Sequence, residues 1–308
     1  MLKYIVKRML MLIPVIIGVT FLVFFILSFT PGDPVRMILG EEATAEAIAQ
    51  LRSDLGLDRS VIVQYGLYMA RVFQGDLGVS YITNRPVLGE ILRRLPLTIE
   101  LAWWSIVLGT ILALPLGILA AIKQYSAVDN VGMIVTLVGT AMPNFWLGLL
   151  LMLLFSLHLG WLPSSGYLGI QHMILPAITL GTNNTAIIAR MTRSSMLEVI
   201  RQDYIRTARS KGVNSTTIIM KHALRNASIP VVTVIGLQIG ALLGGAVLTE
   251  TVFSLPGLGT LMVNAIRSKD TPMVLGSIIV FTVLFSIVNL IVDILYAFLD
   301  PRIKAEYK

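Results

Sequence analysis

The stretch Arg201-Gln202-Asp203-Tyr204-Ile205-Arg206-Thr207-Ala208-Arg209-Ser210-Lys211-Gly212, running on to His222-Ala223-Leu224-Arg225-Asn226, is polar and basic and lies between two apolar runs. Its chemistry is recognition, not bond making. Thr207, Ala208 and Gly212 are small enough to let a helix end press into a cleft, and Arg206, Arg209 and Lys211 ring them with positive charge. Two occupants fit such a surface: a cleft on a cytosolic protein, or anionic lipid on which an amphipathic loop lies. Sets for covalent or acid–base chemistry are missing. The chain has no cysteine and three histidines, His158, His172 and His222, too scattered to form a metal cage. It contains no H-E-x-x-H, no G-x-S-x-G and no G-x-x-x-x-G-K-[ST] phosphate loop, so an ATP site of that last kind cannot be built from it.

Polar groups inside the apolar runs are the other candidates. Asp293 is an intramembrane carboxylate by position, and such a charge is either functional or paired with a basic residue such as Arg302. Glu250 ends an apolar run beside Gly244-Gly245, where it lines an outer gate or caps a helix end from water. Glu100 is read in the first turn of a helix, where a carboxylate meets the positive end of the dipole. Asn144, Asn183, Asn184 and Gln238 either hydrogen-bond a peptide-like ligand in a lumen or join helices to one another. Pro143 interrupts its run and kinks the helix there. Gly244, Gly245 and Pro256-Gly257-Leu258-Gly259 give the backbone freedom for a hinge or a tight turn. The methionines read as adaptable packing, and His158 and His172 read as interfacial residues with no metal bound.

These residues need a membrane to position them. The 308 residues are 56% hydrophobic and only 13% charged, against about 25% charged in an ordinary soluble domain. The expected fold is an all-α integral membrane protein with six transmembrane helices, at residues 9–29, 98–122, 131–157, 172–191, 229–249 and 273–298. The first run follows Lys3, Lys7 and Arg8, yet it is too long for a signal core and ends in Thr30-Pro31-Gly32-Asp33-Pro34 with no small-residue cleavage site, so it stays attached. The division is an N-terminal helix (1–29), an extracytoplasmic loop subdomain (30–96), a five-helix core (97–298) holding a cytosolic loop (193–228), and a tail (299–308). Within the outer loop, residues 45–55 read as a helix stopped at Gly56, and 61–73 as another stopped near Gly75. Ser195-x-x-Glu198 reads as a capping box opening a short cytosolic helix whose stripe is Ile200, Tyr204 and Ala208.

Charge sets the orientation. With the N-terminus in the cytosol, 15 of the 24 lysines and arginines fall on inner segments, and most of the rest lie in the one long outer loop. Both termini are then cytosolic, and the net charge of +7 follows topology, with no nucleic-acid partner implied.

Asp203-Tyr204-x-Arg206-Thr207-Ala208-Arg209-x-Lys211-Gly212 resembles the EAA loop of ABC importer permeases. Thr207 and Ala208 stand at the alanines and Gly212 at the glycine, while Arg206 replaces the glutamate and His222-Ala223-Leu224-Arg225 replaces I-x-L-P. Those departures are similar to one branch, the B-type permeases of dipeptide, oligopeptide and nickel uptake. Further segments follow that branch in order: Pro31-Gly32-Asp33-Pro34, Leu55-Gly56-Leu57-Asp58, Gly75-Asp76-Leu77-Gly78, Pro143-x-Phe145-x-x-Gly148, Glu250 to Gly259, Asn289-x-x-x-Asp293-x-x-Tyr296 and Asp300-Pro301-Arg302. The resemblance implies a type I ABC importer (MetI-like) permease fold in a bacterial or archaeal cytoplasmic membrane. It also implies a second related permease, two cytosolic ATPases that bind ATP and Mg, and an extracytoplasmic substrate-binding protein, with no cofactor on this chain. Asp203, Tyr204, Arg206, Thr207, Ala208, Lys211, Gly212, His222 and Leu224 would then couple to the ATPases. The implied substrate is a di- or oligopeptide, with glutathione or a nickel chelate as alternatives. A passive channel or ion-driven carrier with a lipid-binding loop is the rival reading from another class.

Overall fold

Apolar runs long enough to cross a bilayer, separated by glycine and capping residues, give a chain of helices in the computed structural model, which describes residues 2–30, 32–40 and 42–299. In order these are α1 (Leu2–Phe29), α2 (Pro34–Leu39), α3 (Ala45–Asp54), α4 (Val61–Val72), α5 (Val87–Ile122), α6 (Ala127–Ala141), α7 (Asn144–Leu151) with a π-helical continuation Met152–His158, and α8 (Gln171–Ile200). There follow α9 (Asp203–Ser210), α10 (Ser215–Thr217), a π-helical Ile218–Ala223, α11 (Leu224–Val252), α12 (Leu258–Arg267) and α13 (Thr271–Leu299). Among the described residues the sole β pairing is an isolated bridge between Val79 and Pro86.

Four helical stretches are long and apolar enough to span: Ile5–Phe29, Val87–Ile122, Ser215–Val252 and Thr271–Leu295. The third expected span is corrected in shape. Met142 is extended at ψ 127°, Pro143 caps α7, and the pair Ala127–Ala141 and Asn144–His158 is bent by 105°. Proline without an N–H, preceded by a residue it forces out of the helical region, breaks the ladder here where only a kink was expected. Counted as one span, the pair makes a fifth. The fourth expected run lies inside α8, whose Thr182, Asn183, Asn184, Thr185 and Arg190 leave it less apolar than the four.

Two boundaries also differ. α5 begins at Val87, eleven residues before the expected start, so Glu100 stands well inside the helix and the first-turn acid is Glu90. α8 runs unbroken to Ile200, so Ser195 is a buried mid-helix residue and opens no capping box. Asp300, Pro301 and Arg302, the end of the family-like pattern, lie outside the described residues, as does Pro31.

The chain divides into two compact units, Met1–Thr98 with Pro256–Ser286, and Ile99–Leu255 with Ile287–Lys308. In the first, α3 and α4 start at Thr44 and Ser60 and stop at glycines of positive φ, Gly56 (67°) and Gly75 (83°), as their sequence foretold. The side chain of Thr44 accepts from Ala47 N–H at 3.3 Å. Tyr65 of α4 fixes that helix to α1: its hydroxyl donates to Ile17 O (2.8 Å) and lies 3.0 Å from Thr20 Oγ1, and its ring meets Phe21 edge-on. The core joins Phe24, Tyr65, Tyr68, Val87, Ile91, Leu258 and Leu275. The turn before α13 closes it. Asp270, 3% exposed, accepts from Ser80 Oγ (2.5 Å) and Tyr81 N–H (3.1 Å), and Lys269 Nζ donates to Thr30 O and Gly32 O.

In the second unit small residues set the helix spacing. A Cβ on Gly117 would lie 2.6 Å from Ala189 O, and one on Gly181 2.8 Å from Ser105 O, so α5 and α8 approach backbone to backbone. Gly236 of α11 likewise admits Val292 of α13 at 2.6 Å. Close approach at small residues is how helices gain contact where lipid removes the hydrophobic drive between them.

Candidate functional site

The basic segment forms one short helix held on a small apolar platform. α8 ends at Ile200 with Arg201 as its cap, Gln202 is extended, and α9 starts at Asp203. This break corrects the expected stripe: Ile200 and Tyr204 belong to different helices. The anchor is Ile205, fully buried with Ala121, Met196, Ile218, Ala223 and Ala227. Ala208, Val213 and Leu224 pack partly buried against the same cluster. Tyr204 is 43% exposed and lies alongside, its hydroxyl accepting from Asn226 Nδ2 at 2.7 Å.

The far end of α9 is closed by a Schellman motif. Gly212 N–H donates to Arg209 O (3.0 Å) and Val213 N–H to Ala208 O (3.2 Å), with Gly212 at φ 77°. The hydrophobic contact that accompanies this motif is Val213 and Ala208 on the shared cluster. Asn214 then starts the next helix, its side chain accepting from Thr216 N–H at 3.0 Å.

What α9 presents outward is Asp203, Arg206, Thr207, Arg209 and Ser210, all exposed, with Lys211 and Gly212 beyond. Asp203 and Arg206 lie 3.8 Å apart, both well exposed, and such a pair contributes little. A Cβ on Gly212 would meet nothing within 4 Å, so open space adjoins the glycine. Of the residues expected here, His222 and Leu224 stand off this outer face: both are half-buried, His222 in the π-helical turn and Leu224 on the platform.

The pathway candidates lie on, or at the start of, three helices, α7, α8 and α11. Gln238 Nε2 donates to Asn184 Oδ1 at 2.5 Å, and Asn184 Nδ2 donates back to Leu180 O at 3.2 Å, so these two amides join α8 to α11. Gly245 presses against Leu180 on the same seam, and Gly244 faces open space, both inside regular helix. Glu250 is fully buried in the last turn of α11, two residues before its end. Twelve residues along a helix, Gln238 and Glu250 are about 18 Å apart. Pro143 and Asn144 sit at the start of α7, whose Gly148 lets Phe253 approach to 3.1 Å of a Cβ there. Asn183 is half-buried on α8, as Asp293 is on α13.

Two side chains passed over in the sequence stand out. Asp129, at the start of α6, binds Arg193 of α8 through two parallel N–H···O bonds of 2.6 and 2.7 Å. Tyr167 donates to Glu100 at 2.9 Å, and that carboxylate acceptor, with some burial, holds the phenol above its ordinary range. No group of three or more metal-ligating side chains occurs among the described residues.

Residues 113–305 match the family model described as "Binding-protein-dependent transport system inner membrane component", and residues 1–102 match the N-terminal model of the same description. The chain is 47% identical to the dipeptide transport system permease protein DppB of Alkalihalophilus pseudofirmus, over 99% of this chain and 100% of that one. It is 45% identical to the glutathione transport system permease protein GsiC of Salmonella typhimurium, over 99% of each. Among solved structures, the inward-facing MetNI methionine ABC transporter shares the fold at a TM-score of 0.59 and 18% identity, over 69% of this chain and 97% of that one. An amino acid ABC transporter follows at 0.53 and 14%, over 70% and 94%.

Proposed function

Because this chain belongs to the family of binding-protein-dependent transport system inner membrane components, we propose that it forms one half of the membrane pathway of an ATP-driven importer of short peptides. ATP and Mg are held by partner ATPase subunits in the cytosol. A second, related permease completes the pathway, and an extracytoplasmic binding protein delivers the peptide. Both termini face the cytosol, as the charge distribution favours.

The observation that carries this reading is the way α9 is mounted. Ile205 ties it to Ala121 at the end of α5, Met196 near the end of α8, Ala223 at the end of the π-helical turn and Ala227 in the first turn of α11. A push on the exposed face of α9 therefore reaches three long helices together. A loop that only rested on lipid would need no such platform. Asp203, Tyr204, Arg206, Thr207, Ala208, Lys211 and Gly212 make or shape the contact with the ATPase, and His222 and Leu224 back it from behind. Pro143, Asn144, Asn183, Gln238, Gly244, Gly245 and Glu250 belong to the helices that then rearrange around the substrate. The similarity to GsiC supports glutathione, itself a short peptide, as a second substrate reading.

Affinity purification of the tagged chain from its native membrane, followed by mass spectrometry, tests this. Recovery of a second permease and of phosphate-loop ATPases, with the ATPases lost in Gly212→Asp, is the expected result. A chain that is recovered alone under crosslinking and mild detergent, and that transports by itself after reconstitution, overturns it in favour of a channel or carrier.

A further inference from the structure

Arg190 is a cation at membrane depth that the transport reading has not used. It lies on α8 one turn before Arg193, and the two side chains reach opposite ways. Arg193 bonds Asp129 in the first turn of α6, whereas Arg190 Nη1 donates at 3.4 Å to Thr140 Oγ1 in the last turn of that helix. Eleven residues of helix separate the two acceptors, about 16 Å. Thr140 stands about 20 Å along α6 from its start, against a hydrocarbon core about 30 Å thick. A long cationic side chain in such a helix ordinarily stretches its charge toward the nearer water. Arg190 points the other way, to where the break at Met142 and Pro143 ends α6 and the negative end of its dipole favours a cation. The bond to Thr140 engages one of five guanidinium N–H groups. Among the described residues no carboxylate lies within ion-pair distance of Arg190.

The other faces of α8 are taken. Gly117 and Gly181 bring it against α5, Arg193 ties it to α6, Thr179 meets Gly148 of α7, and Asn184 joins it to α11. The stripe left over runs Ile178, Thr182, Asn183, Ile187 and Arg190, each exposed or half-buried. A guanidinium turned to lipid at this depth is costly, and membrane arginines face a bundle interior or a water-filled path. We propose that Arg190 is a carboxylate subsite on the translocation pathway, where its guanidinium takes the free α-carboxylate of the peptide in passage. Thr140 orients the guanidinium. Thr182, whose hydroxyl donates to Ile178 O and keeps its lone pairs, and Asn183 offer neutral partners to the peptide amides. The inference rests on the importer reading above and adds the substrate group that this chain grips. A planar fork of donors suits a carboxylate. The contrast with Arg193 favours a ligand that comes and goes: that arginine has a permanent, buried aspartate of its own, and Arg190 has none. The rival occupant is a carboxylate of the second permease.

The test is ATP-driven uptake by the assembled importer in proteoliposomes, comparing L-alanyl-L-alanine with L-alanyl-L-alanine amide. Each peptide is supplied at a concentration that saturates the binding protein. That protein is the same for parent and variants, so a change in the ratio of the two uptake rates reports on this chain. Arg190→Gln should lower uptake of the free dipeptide about 10-fold more than uptake of the amide. Arg190→Lys, which keeps the charge and loses the fork, should fall between parent and Arg190→Gln. Thr140→Val should shift the ratio the same way by less, and it answers the question if Arg190→Gln fails to reach the membrane. Equal losses for the two peptides overturn the proposal and mark a structural role or a pair with the second permease. An unchanged ratio in all three variants also overturns it. A parent complex that takes up neither peptide with ATP sinks the importer reading and this inference with it, whereas a parent that transports with a ratio indifferent to Arg190 sinks the inference alone.

Discussion

Arg193 grips Asp129 with both arms of its guanidinium, at 2.6 and 2.7 Å, and the aspartate is only 3% exposed while doing so. The pair joins the first turn of α6 to the end of α8, one turn from Met196 on the α9 platform. Tyr125 N–H adds a third bond to the same carboxylate at 3.0 Å. Removing the arginine alone leaves a buried charge without its partner, which costs about 3–5 kcal/mol. Arg193→Met should therefore lower the thermal midpoint sharply, and the double variant Asp129→Leu with Arg193→Met should recover most of the loss. Equal midpoints for the single variant and the parent would show that the pair contributes nothing.

Ile205 separates the mounting of α9 from its outer surface. Ile205→Ala empties a fully buried site and should cost about 2–4 kcal/mol. It should also expose α9 to limited proteolysis, since the helix is only eight residues long and depends on that anchor. Arg206→Glu and Arg209→Glu, on the exposed face, should leave the unfolding free energy within about 0.5 kcal/mol of the parent while reducing ATPase recovery. Stability lost in the surface variants, or docking kept in both, would dismiss the division of labour.

Much of this was open to reading in the sequence, and the misses have physical causes. Gly56, Gly75 and Gly212 were legible because each ends a helix at positive φ, a requirement local to a few residues. The long apolar runs were legible because bilayer thickness fixes their length. The stripe Ile200, Tyr204 and Ala208 failed because the break at Arg201 and Gln202 carries no proline or glycine to announce it. Ser195-x-x-Glu198 matched a capping pattern that the continuing helix overrode, since Ser195 and Met196 are buried against neighbours that propensity does not see. Asp129 and Arg193 are 64 residues apart, and only the packing of α6 on α8 brings them together. Asn184 and Gln238 were named as a choice between lining a lumen and joining helices, and their mutual bond supplies the joining.

Tyr68 gives a pH prediction whose sign follows from its burial. The folded state holds the phenol proton more tightly than the unfolded chain, where the pKa is about 10. Its contribution is complete below that value and falls away as the pH rises toward the folded pKa. Tyr68→Phe should lessen the alkaline decline in thermal midpoint and, because the buried hydroxyl it removes has no hydrogen-bond partner, leave the neutral midpoint equal to or above that of the parent. An identical alkaline profile in parent and variant would remove Tyr68 from that account.

Gly212 combines two requirements that one pair of substitutions can separate. At φ 77° most side chains are strained, by about 1–2 kcal/mol, whereas asparagine tolerates that region and can still close the Schellman motif. The space around a Cβ there is open within the chain, so sterics inside this protein do not demand glycine. Gly212→Val should both destabilise the end of α9 and abolish coupled transport. Gly212→Asn should keep the thermal midpoint close to that of the parent. If Gly212→Asn nevertheless loses ATP-driven uptake, the glycine is needed for the close approach of the ATPase. If uptake survives, the backbone conformation alone was the requirement, and the contact with the ATPase must centre on Arg206, Thr207 and Arg209.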